Sequence, residues 1–237
     1  MKLSAPIYRL KRQAKVLARE TAVPLNKALD IIAKQEGFQS WSMLAARHAE
    51  STPTTRVLAA LSPSDLVLLG ARPGHGKTLM GLEIIIAAIK AKTQAAFFSL
   101  ELTQNEIFER FERLGGDIKA SEDVLAFDTS NGICADYIIK RLRTAPRGTV
   151  VVIDYLQLLD QNRAKPILAA QVAALKSFAD TAGVVVILIS QIDRTYDPVV
   201  KPLPDIADIR LPNPLDLSLF TKMVSLNNGE AKVHIMG

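Results

Sequence analysis

The feature that most constrains this chain is an apolar run at 66–70 that leads into a glycine-containing loop and an apolar helix. The run predicts a buried strand, and the loop after it contains Ala71, Arg72, Pro73, Gly74, His75, Gly76, Lys77 and Thr78. Main-chain N–H groups of such a loop surround an anion, its lysine reaches the outer phosphates, and its threonine hydroxyl binds Mg²⁺. A helix that begins at the lysine directs the positive end of its dipole at the same phosphates. We therefore predict a nucleotide phosphate site here.

The loop departs from the usual pattern at its first position, where the pattern has glycine and this chain has Ala71. Gly70 and Gly74 still allow the tight turn, so the departure is mild. The interpretation depends mainly on the strand before the loop and the helix after it, because a Gly-Lys-Thr triplet alone also occurs in unrelated loops.

Length and composition restrict the class of protein. The 237 residues suffice for one large domain, or for a large and a small one. The single cysteine, Cys134, excludes an internal disulfide and fits a reducing compartment. Apolar runs are too short to span a bilayer, and the N-terminus lacks the apolar stretch of a secretory signal. We expect a cytoplasmic protein with no membrane partner.

The net charge of +5 is unevenly distributed along the chain. Residues 1–50 contain nine Lys/Arg and four Asp/Glu, so this segment carries the whole excess and the rest is neutral. A basic segment attached to a neutral body indicates an anionic partner, and a merely solvated surface is the alternative. Both interpretations stay open from the sequence.

Three regions can be distinguished along the chain. Residues 1–50 are predicted to form a small basic domain of three short helices, with Trp41 as a core anchor rather than a platform for stacking bases. Three small helices also fit a helix-turn-helix DNA reader, but they are not specific for one. The polar, proline-containing stretch 51–55 is predicted to be a linker. Residues 56–237 form the main domain.

Strands and helices alternate in the main domain. Strands are predicted at 66–70, 94–99, 125–129, 149–154 and 184–189, and helices at 77–91, 103–115, 134–144 and 165–182. The strand at 149–153 is nearly all apolar, as expected for a parallel sheet covered on both faces. Residues 220–235, with Asn227-Asn228-Gly229 at their centre, predict a β-hairpin. The fold class is therefore α/β, with a central, mostly parallel sheet and a C-terminal hairpin.

Polar side chains follow three further strands. Asp154 ends an apolar strand and is a candidate to hold Mg²⁺ with Thr78. Glu101 could deprotonate an attacking water, although a helix N-terminal role is the alternative. Gln191 could sense a γ-phosphate, or simply bond a neighbouring loop. Since strand ends of a parallel sheet meet at one edge, Lys77 and these side chains predict an ATPase site.

The order of these motifs resembles the RecA-like motor domain of DnaB-type replicative helicases over roughly residues 56–237. The resemblance is carried by the 71–78 loop, Phe98-Ser99-Leu100-Glu101, Ile153-Asp154-Tyr155-Leu156-Gln157-Leu158 and Ser190-Gln191-Ile192-Asp193-Arg194. It implies a P-loop fold that binds ATP and Mg²⁺. It also implies that Glu101 is the catalytic base, Asp154 the metal-binding acid and Gln191 the phosphate sensor. The family assembles as rings around single-stranded DNA, and a neighbouring subunit completes each ATP site.

One departure from the family concerns that neighbour. The family carries Lys-x-Arg on its last strands, inserted into the adjacent ATP site, whereas the aligned stretch here is Ser225-Leu226-Asn227. Whether Arg210 or Lys222 replaces the missing cation is open from the sequence. A trans arginine contributes about 10³–10⁵ in turnover, so its loss predicts weak hydrolysis.

The leading hypothesis is an Mg²⁺-dependent ATPase of the DnaB type that acts on single- or double-stranded DNA, as a homo-oligomer or ring. One alternative is a RecA-fold accessory ATPase that does not unwind DNA. The other is an ATP-gated switch that binds DNA or protein without turnover. Strong stimulation of hydrolysis by DNA distinguishes the first hypothesis from the others.

Overall fold

The computed structural model describes residues 3–5, 7–50, 52–160, 165–211 and 213–236. The chain divides into two compact units, Met1–Arg56 and Val57–Gly237. Each unit is built around its own apolar core.

The small unit contains the three predicted helices, α1 (Ile7–Glu20), α2 (Leu25–Gln35) and α3 (Trp41–Glu50). Leu10, Ala14, Ala28 and Ile32 form its core, and Trp41 packs against them. Trp41 is therefore a core anchor, as predicted. Asp30 Oδ1 accepts a hydrogen bond from the Trp41 N–H at 2.8 Å, which fixes the start of α3 to α2.

The remaining helices are α4 (Pro53–Ala59), α5 (Lys77–Lys90), α6 (Gln104–Arg113), α7 (Ala135–Arg141) and α8 (Leu168–Ala182). The strands are β1 (Leu66–Ala71), β2 (Ala95–Ser99), β3 (Leu125–Asp128), β4 (Val150–Asp154), β5 (Val185–Gln191), β6 (Lys222–Asn227) and β7 (Glu230–Ile235). Every element predicted from the sequence in the main domain is present, with ends shifted by a few residues.

The linker predicted at 51–55 needs correction. Residue 51 lies outside the described residues, but α4 begins at Pro53, so residues 53–55 are helical. Proline is favoured in the first turn of a helix, where its missing N–H costs no hydrogen bond. The Thr55 N–H also donates to Thr52 Oγ1 at 3.2 Å, a side-chain hydrogen bond that caps the start of the helix. The linker prediction treats these threonines only as polar residues.

The sheet has seven strands in the order β3-β2-β4-β5-β1-β6-β7. All neighbours are parallel except β6 and β7, which form the predicted antiparallel hairpin. The strands β1, β2 and β4 are buried along their whole length. Side chains of β1 alternate between two cores, with Leu66 and Leu68 on one face and Val67 and Leu69 on the other. The mostly parallel α/β architecture is confirmed.

Helices cover both faces of this sheet. The α7 and α8 side chains join one core, and those of α5 and α6 join the other. α5 lies very close to the sheet at Gly81, where a Cβ would come within 3.0 Å of Ile189 Cδ1 and 3.1 Å of Val152 Cγ1. This close approach holds α5, and the loop before it, over the centre of the sheet. Among the described residues, no helix has the length and apolarity needed to cross a membrane.

Candidate nucleotide-binding site

The predicted site residues meet at the carboxyl edge of the sheet. In the strand register, Ala71 of β1 is level with Gln191 of β5, and Ser99 of β2 is level with Asp154 of β4. The four central strands therefore deliver the 71–78 loop, Glu101, Asp154 and Gln191 to one edge. This is the edge at which parallel α/β sheets bind ligands.

The 71–78 loop has the backbone of an anion-binding turn. Gly74 and Gly76 have φ of +78° and +84°, which glycine adopts without strain. Ala71 is still part of β1 and is paired on both sides, with Gln191 and Leu226. Its φ is not positive, so no glycine is required there. This explains why alanine is compatible with the loop at the position where the pattern has glycine.

Lys77 is the first residue of α5, and it is buried. Its Nζ lies 3.6 Å from Glu101 Oε2 and 5.3 Å from the ring centroid of Tyr155. The Lys77 side chain is only 10% exposed, whereas that of Glu101 is 42% exposed. The ammonium is thus held between a carboxylate and an aromatic face, at the positive end of α5 where an anion is favoured.

Thr78 and Asp154 are joined directly. Thr78 Oγ1 donates to Asp154 Oδ2 at 2.7 Å, and Asp154 is fully buried. Burial raises the pKa of Asp154, while the Thr78 hydrogen bond and the Lys77 charge oppose the shift. Asp154 Oδ1 has no hydrogen-bond partner among the described residues.

This pair fits Mg²⁺. Among the described residues there is no cluster of three or more His, Cys, Asp or Glu side chains that could hold a metal alone. Mg²⁺ rarely needs one, because it commonly takes one or two protein oxygens and completes its shell with phosphates and water. The free Oδ1 of Asp154 and the Thr78 hydroxyl supply such oxygens.

Glu101 does not cap the helix that follows it. α6 is capped by Thr103 and Glu106: the Thr103 hydroxyl accepts from the Glu106 N–H at 3.4 Å, and Glu106 Oε2 accepts from the Thr103 N–H at 2.9 Å. Ser99 Oγ accepts the Glu101 N–H at 3.2 Å and fixes the backbone between strand and helix. Glu106 therefore fills the helix-start role that was the alternative for Glu101.

The structure adds two residues to which sequence reasoning gave no role. Tyr155 directly follows Asp154, and its ring centroid lies 5.3 Å from Lys77 Nζ. Burial, followed by the charges of Glu101 and Asp154, raises the pKa of Tyr155. Arg110 on α6 has a buried Nη1 without a partner in the described part of the chain, and its charge opposes the burial that raises the pKa of Asp154. Tyr155 could have been found from its place beside Asp154, whereas Arg110 carries no sequence signal.

The two candidate replacements for the missing cation have different surroundings. Lys222 starts β6 at the opposite edge of the sheet and forms an ion pair with Asp65, where both side chains are largely buried. Arg210 is exposed, and its N–H donates to the Gln191 carbonyl at 2.9 Å. Arg210 is thus the cation of the two that lies beside the candidate site.

The hairpin positions aligned with Lys-x-Arg make internal contacts instead. Ser225 Oγ donates to the Pro204 carbonyl, and Asn227 Nδ2 donates to the Pro202 carbonyl at 2.8 Å. Both residues are buried, at 0% and 7% exposure. These two bonds, which we call the hairpin latch, fix the segment that follows β5 onto β6.

Comparison with known proteins agrees with this geometry. A family model described as the DnaB-like helicase C terminal domain matches residues 54–129 and 118–214, more than half of the chain. The chain is 28% identical over 188 residues to the replicative DNA helicase DnaB of Pasteurella multocida (strain Pm70), covering 64% of this chain and 40% of that protein. It is 26% identical over 181 residues to a probable plasmid replicative DNA helicase of Chlamydia muridarum (strain MoPn / Nigg), covering 63% and 40%. The chain thus spans less than half the length of these relatives.

Solved structures show the same fold. One of them, described as an ATPase domain, has a TM-score of 0.56 and 21% identity, with 69% of each chain covered. A DnaB-like replicative helicase, solved with attention to its interactions with primase, has a TM-score of 0.59 and 17% identity, covering 96% of this chain and 73% of that one. The expected RecA-like architecture is confirmed by these likenesses. With the family-model match, they establish that the chain belongs to the DnaB-like helicase C-terminal domain family.

Proposed function

We propose that this chain binds ATP with Mg²⁺ at the carboxyl edge of its sheet and hydrolyses it as a DnaB-like ATPase that acts on DNA. The observation that carries the proposal is the convergence of two pairs, Lys77 with Glu101 and Thr78 with Asp154. At the family level, the relationship supports a function of the helicase and ATPase type.

Each residue has a distinct part in the proposed reaction. The main-chain N–H groups of residues 74–78 and the Lys77 ammonium would bind the β- and γ-phosphates. Thr78 and Asp154 would hold Mg²⁺, whose positive charge would neutralise the phosphate oxygens. Glu101 accepts a proton from water as the water oxygen bonds to the γ-phosphorus. The bond to the β-phosphate oxygen breaks, and that oxygen leaves with ADP.

The missing second cation decides how fast this reaction proceeds. Ser225 and Asn227 are uncharged and donate to carbonyls of their own chain, so neither position presents a cation to a neighbour. Arg210 lies beside the site and is the candidate to provide charge there. We therefore propose weak intrinsic turnover. The same observation favours a second candidate function, an ATP-gated switch that binds DNA or protein without rapid hydrolysis.

The basic small unit is the proposed DNA contact. The exposed bases of α1 are Arg9, Lys11, Arg12, Lys15 and Arg19, and the only acid on this helix is Glu20. Such a surface attracts single- or double-stranded DNA through its phosphates. A homo-oligomer, in the form of a ring, is proposed by analogy with the family, and particle mass with and without ATP tests it.

Lys77→Ala tests the site assignment. We expect at least a tenfold loss of affinity for a fluorescent ATP analogue and loss of measurable hydrolysis, because the buried ammonium is removed from the phosphate position. Lys90→Ala, at the far end of α5, is the matched control and should behave like the parent protein. Unchanged binding and turnover in Lys77→Ala would show that the site lies elsewhere. Single-turnover hydrolysis with and without single-stranded DNA then separates the ATPase from the switch.

A further inference from the structure

Gln157 stands at a junction of three segments. It lies in the short helical turn Leu156–Asp160 that follows β4. Its Nε2 donates to Ser190 Oγ at 2.9 Å and to the Arg210 carbonyl at 2.7 Å. Its Oε1 accepts from the Gln191 N–H at 3.4 Å. One side-chain amide thus uses both of its donor hydrogens and its acceptor oxygen.

The segment that Gln157 reaches is a short antiparallel extension of β5. Ile209 pairs with Ile192, the Asp193 N–H donates to the Asp208 carbonyl at 2.7 Å, and the Arg210 N–H donates to the Gln191 carbonyl at 2.9 Å. Residues 208–210, which we call the Arg210 segment, are therefore attached to the main chain of Gln191. Two main-chain hydrogen bonds and one β-bridge therefore hold the Arg210 segment against residues 191–193.

Glutamine is well suited to this junction. Its two donors bind an acceptor on β5 and another on the Arg210 segment, while its oxygen receives an N–H from β5. A carboxylate of the same shape offers no donor, and it would face the Arg210 carbonyl with a like partial charge. Tyr155, two residues before Gln157, has its ring centroid 5.3 Å from Lys77 Nζ, so the junction adjoins a residue of the candidate site.

We propose that Gln157 is a positioning residue that couples Gln191 to the Arg210 segment, so that nucleotide at the site orders this segment and places Arg210. The proposal rests on the proposed function of the site. Gln157 acts through its neighbours and does not touch the phosphates. It links β5, which carries the proposed phosphate sensor Gln191, to Arg210. Because the Lys-x-Arg cations are missing, Arg210 is the candidate cation beside the site.

The test compares Gln157→Glu and Gln157→Met with the parent protein. Gln157→Met keeps the length of the side chain without charge, so it guards against a fold defect caused by a partly buried carboxylate. Gln94→Glu is the control, because Gln94 is exposed and precedes β2 at the opposite edge of the sheet. The readouts are KM and kcat for ATP, and amide hydrogen exchange of residues 193–211 with and without a non-hydrolysable ATP analogue.

We expect both Gln157 variants to bind the analogue within about threefold of the parent, with kcat about tenfold lower. Nucleotide-dependent protection of the Arg210 segment should disappear in both and persist in Gln94→Glu. Parent-like kcat and protection in the Gln157 variants would overturn the coupling. Equal nucleotide binding by Lys77→Ala and the parent would instead contradict the proposed function of the site. The coupling would then have no nucleotide-bound state to act on.

Discussion

Glu101 and Glu106 lie on either side of the start of α6, and only one of them faces the site. Glu101 is 3.6 Å from Lys77, whereas Glu106 is hydrogen-bonded to Thr103. We expect Glu101→Gln to retain ATP binding and to reduce single-turnover hydrolysis by about 10²–10⁴, because an amide cannot accept the water proton.

Glu106→Gln is the matched control for that experiment. A glutamine can still accept the Thr103 N–H, so we expect full activity and a change in unfolding free energy of about 1 kcal/mol or less. Hydrolysis that survived in Glu101→Gln and failed in Glu106→Gln would reverse the roles assigned to the two carboxylates.

Asp154 illustrates a conflict between stability and function. Its pKa is raised in the folded protein by burial, so the folded state binds its proton more tightly than the unfolded state. Its contribution to stability is therefore fully present below the unfolded pKa and is lost as pH rises through the folded pKa. While the Asp154 carboxylate is ionised, its buried charge destabilises the folded state. Asp154→Asn removes that charge, and the asparagine oxygen can still accept the Thr78 hydroxyl.

We expect Asp154→Asn to raise the free energy of unfolding of the nucleotide-free protein by about 1 kcal/mol, or Tm by about 2–4 °C, at neutral pH. The difference from the parent should shrink as pH is lowered, because the parent carboxylate becomes protonated. Mg²⁺-dependent hydrolysis should be lost. Thermal unfolding across a series of buffers measures the first two effects, and a variant less stable than the parent at neutral pH contradicts the argument.

The hairpin latch makes a prediction about β6. Ser225 and Asn227 are buried and donate to the Pro204 and Pro202 carbonyls. Restoring the family's pattern with Ser225→Lys and Asn227→Arg breaks both bonds and places two long cations where little space or water is available. We expect the double variant to lose at least about 2 kcal/mol of unfolding free energy and to exchange amides faster at 201–208.

Glu230→Lys is the control for the hairpin, since it adds a cation at an exposed position of β7. It should change the unfolding free energy by about 0.5 kcal/mol or less. A double variant that is as stable as this control and hydrolyses ATP faster would contradict the argument. It would show that the latch does not make cations at positions 225 and 227 unfavourable.

Most strands and helices could be predicted because their signals are local. The nearly all-apolar strand at β4 and the glycines before α5 follow from the residues alone, and parallel strands necessarily carry Glu101 and Asp154 to the same edge. The helical start at Pro53 was not predicted because residues 51–55 have the polar, proline-containing composition typical of linkers. The hydrogen bond from the Thr55 N–H to Thr52 Oγ1, which stabilises the helix start, cannot be read from that composition. The latch and the Gln157 junction could not be predicted, because side chains there bind main-chain carbonyls whose positions depend on the path of residues 202–210.

The two units of the chain divide the charge between them. All of the excess positive charge lies in the first fifty residues, while residues 51–237 carry equal numbers of acidic and basic side chains. A neutral body attached to a basic three-helix unit suggests that DNA affinity and nucleotide chemistry are supplied by different units. The arrangement predicts that they can be altered separately.

Reversing charge on α1 tests this division in the full chain. Arg12→Glu, Lys15→Glu and Arg19→Glu change three exposed bases without touching the buried Leu10 and Ala14. Each lost phosphate contact lowers the slope of log K against log salt by about 0.7 for single strands and about 0.9 for duplex DNA. We therefore expect a slope smaller by about 2–3 and at least tenfold weaker binding at low salt, with unchanged ATP affinity.

The control for this experiment reverses Lys90 and Lys92 at the end of α5, on the edge of the sheet opposite the site. Fluorescence anisotropy of labelled DNA over a range of salt concentrations gives both slopes. An unchanged slope in the α1 variant, with a reduced slope in the α5 control, would assign the DNA-binding surface to the unit Val57–Gly237. The basic charge of the small unit would then serve only solvation, the alternative that the sequence leaves open.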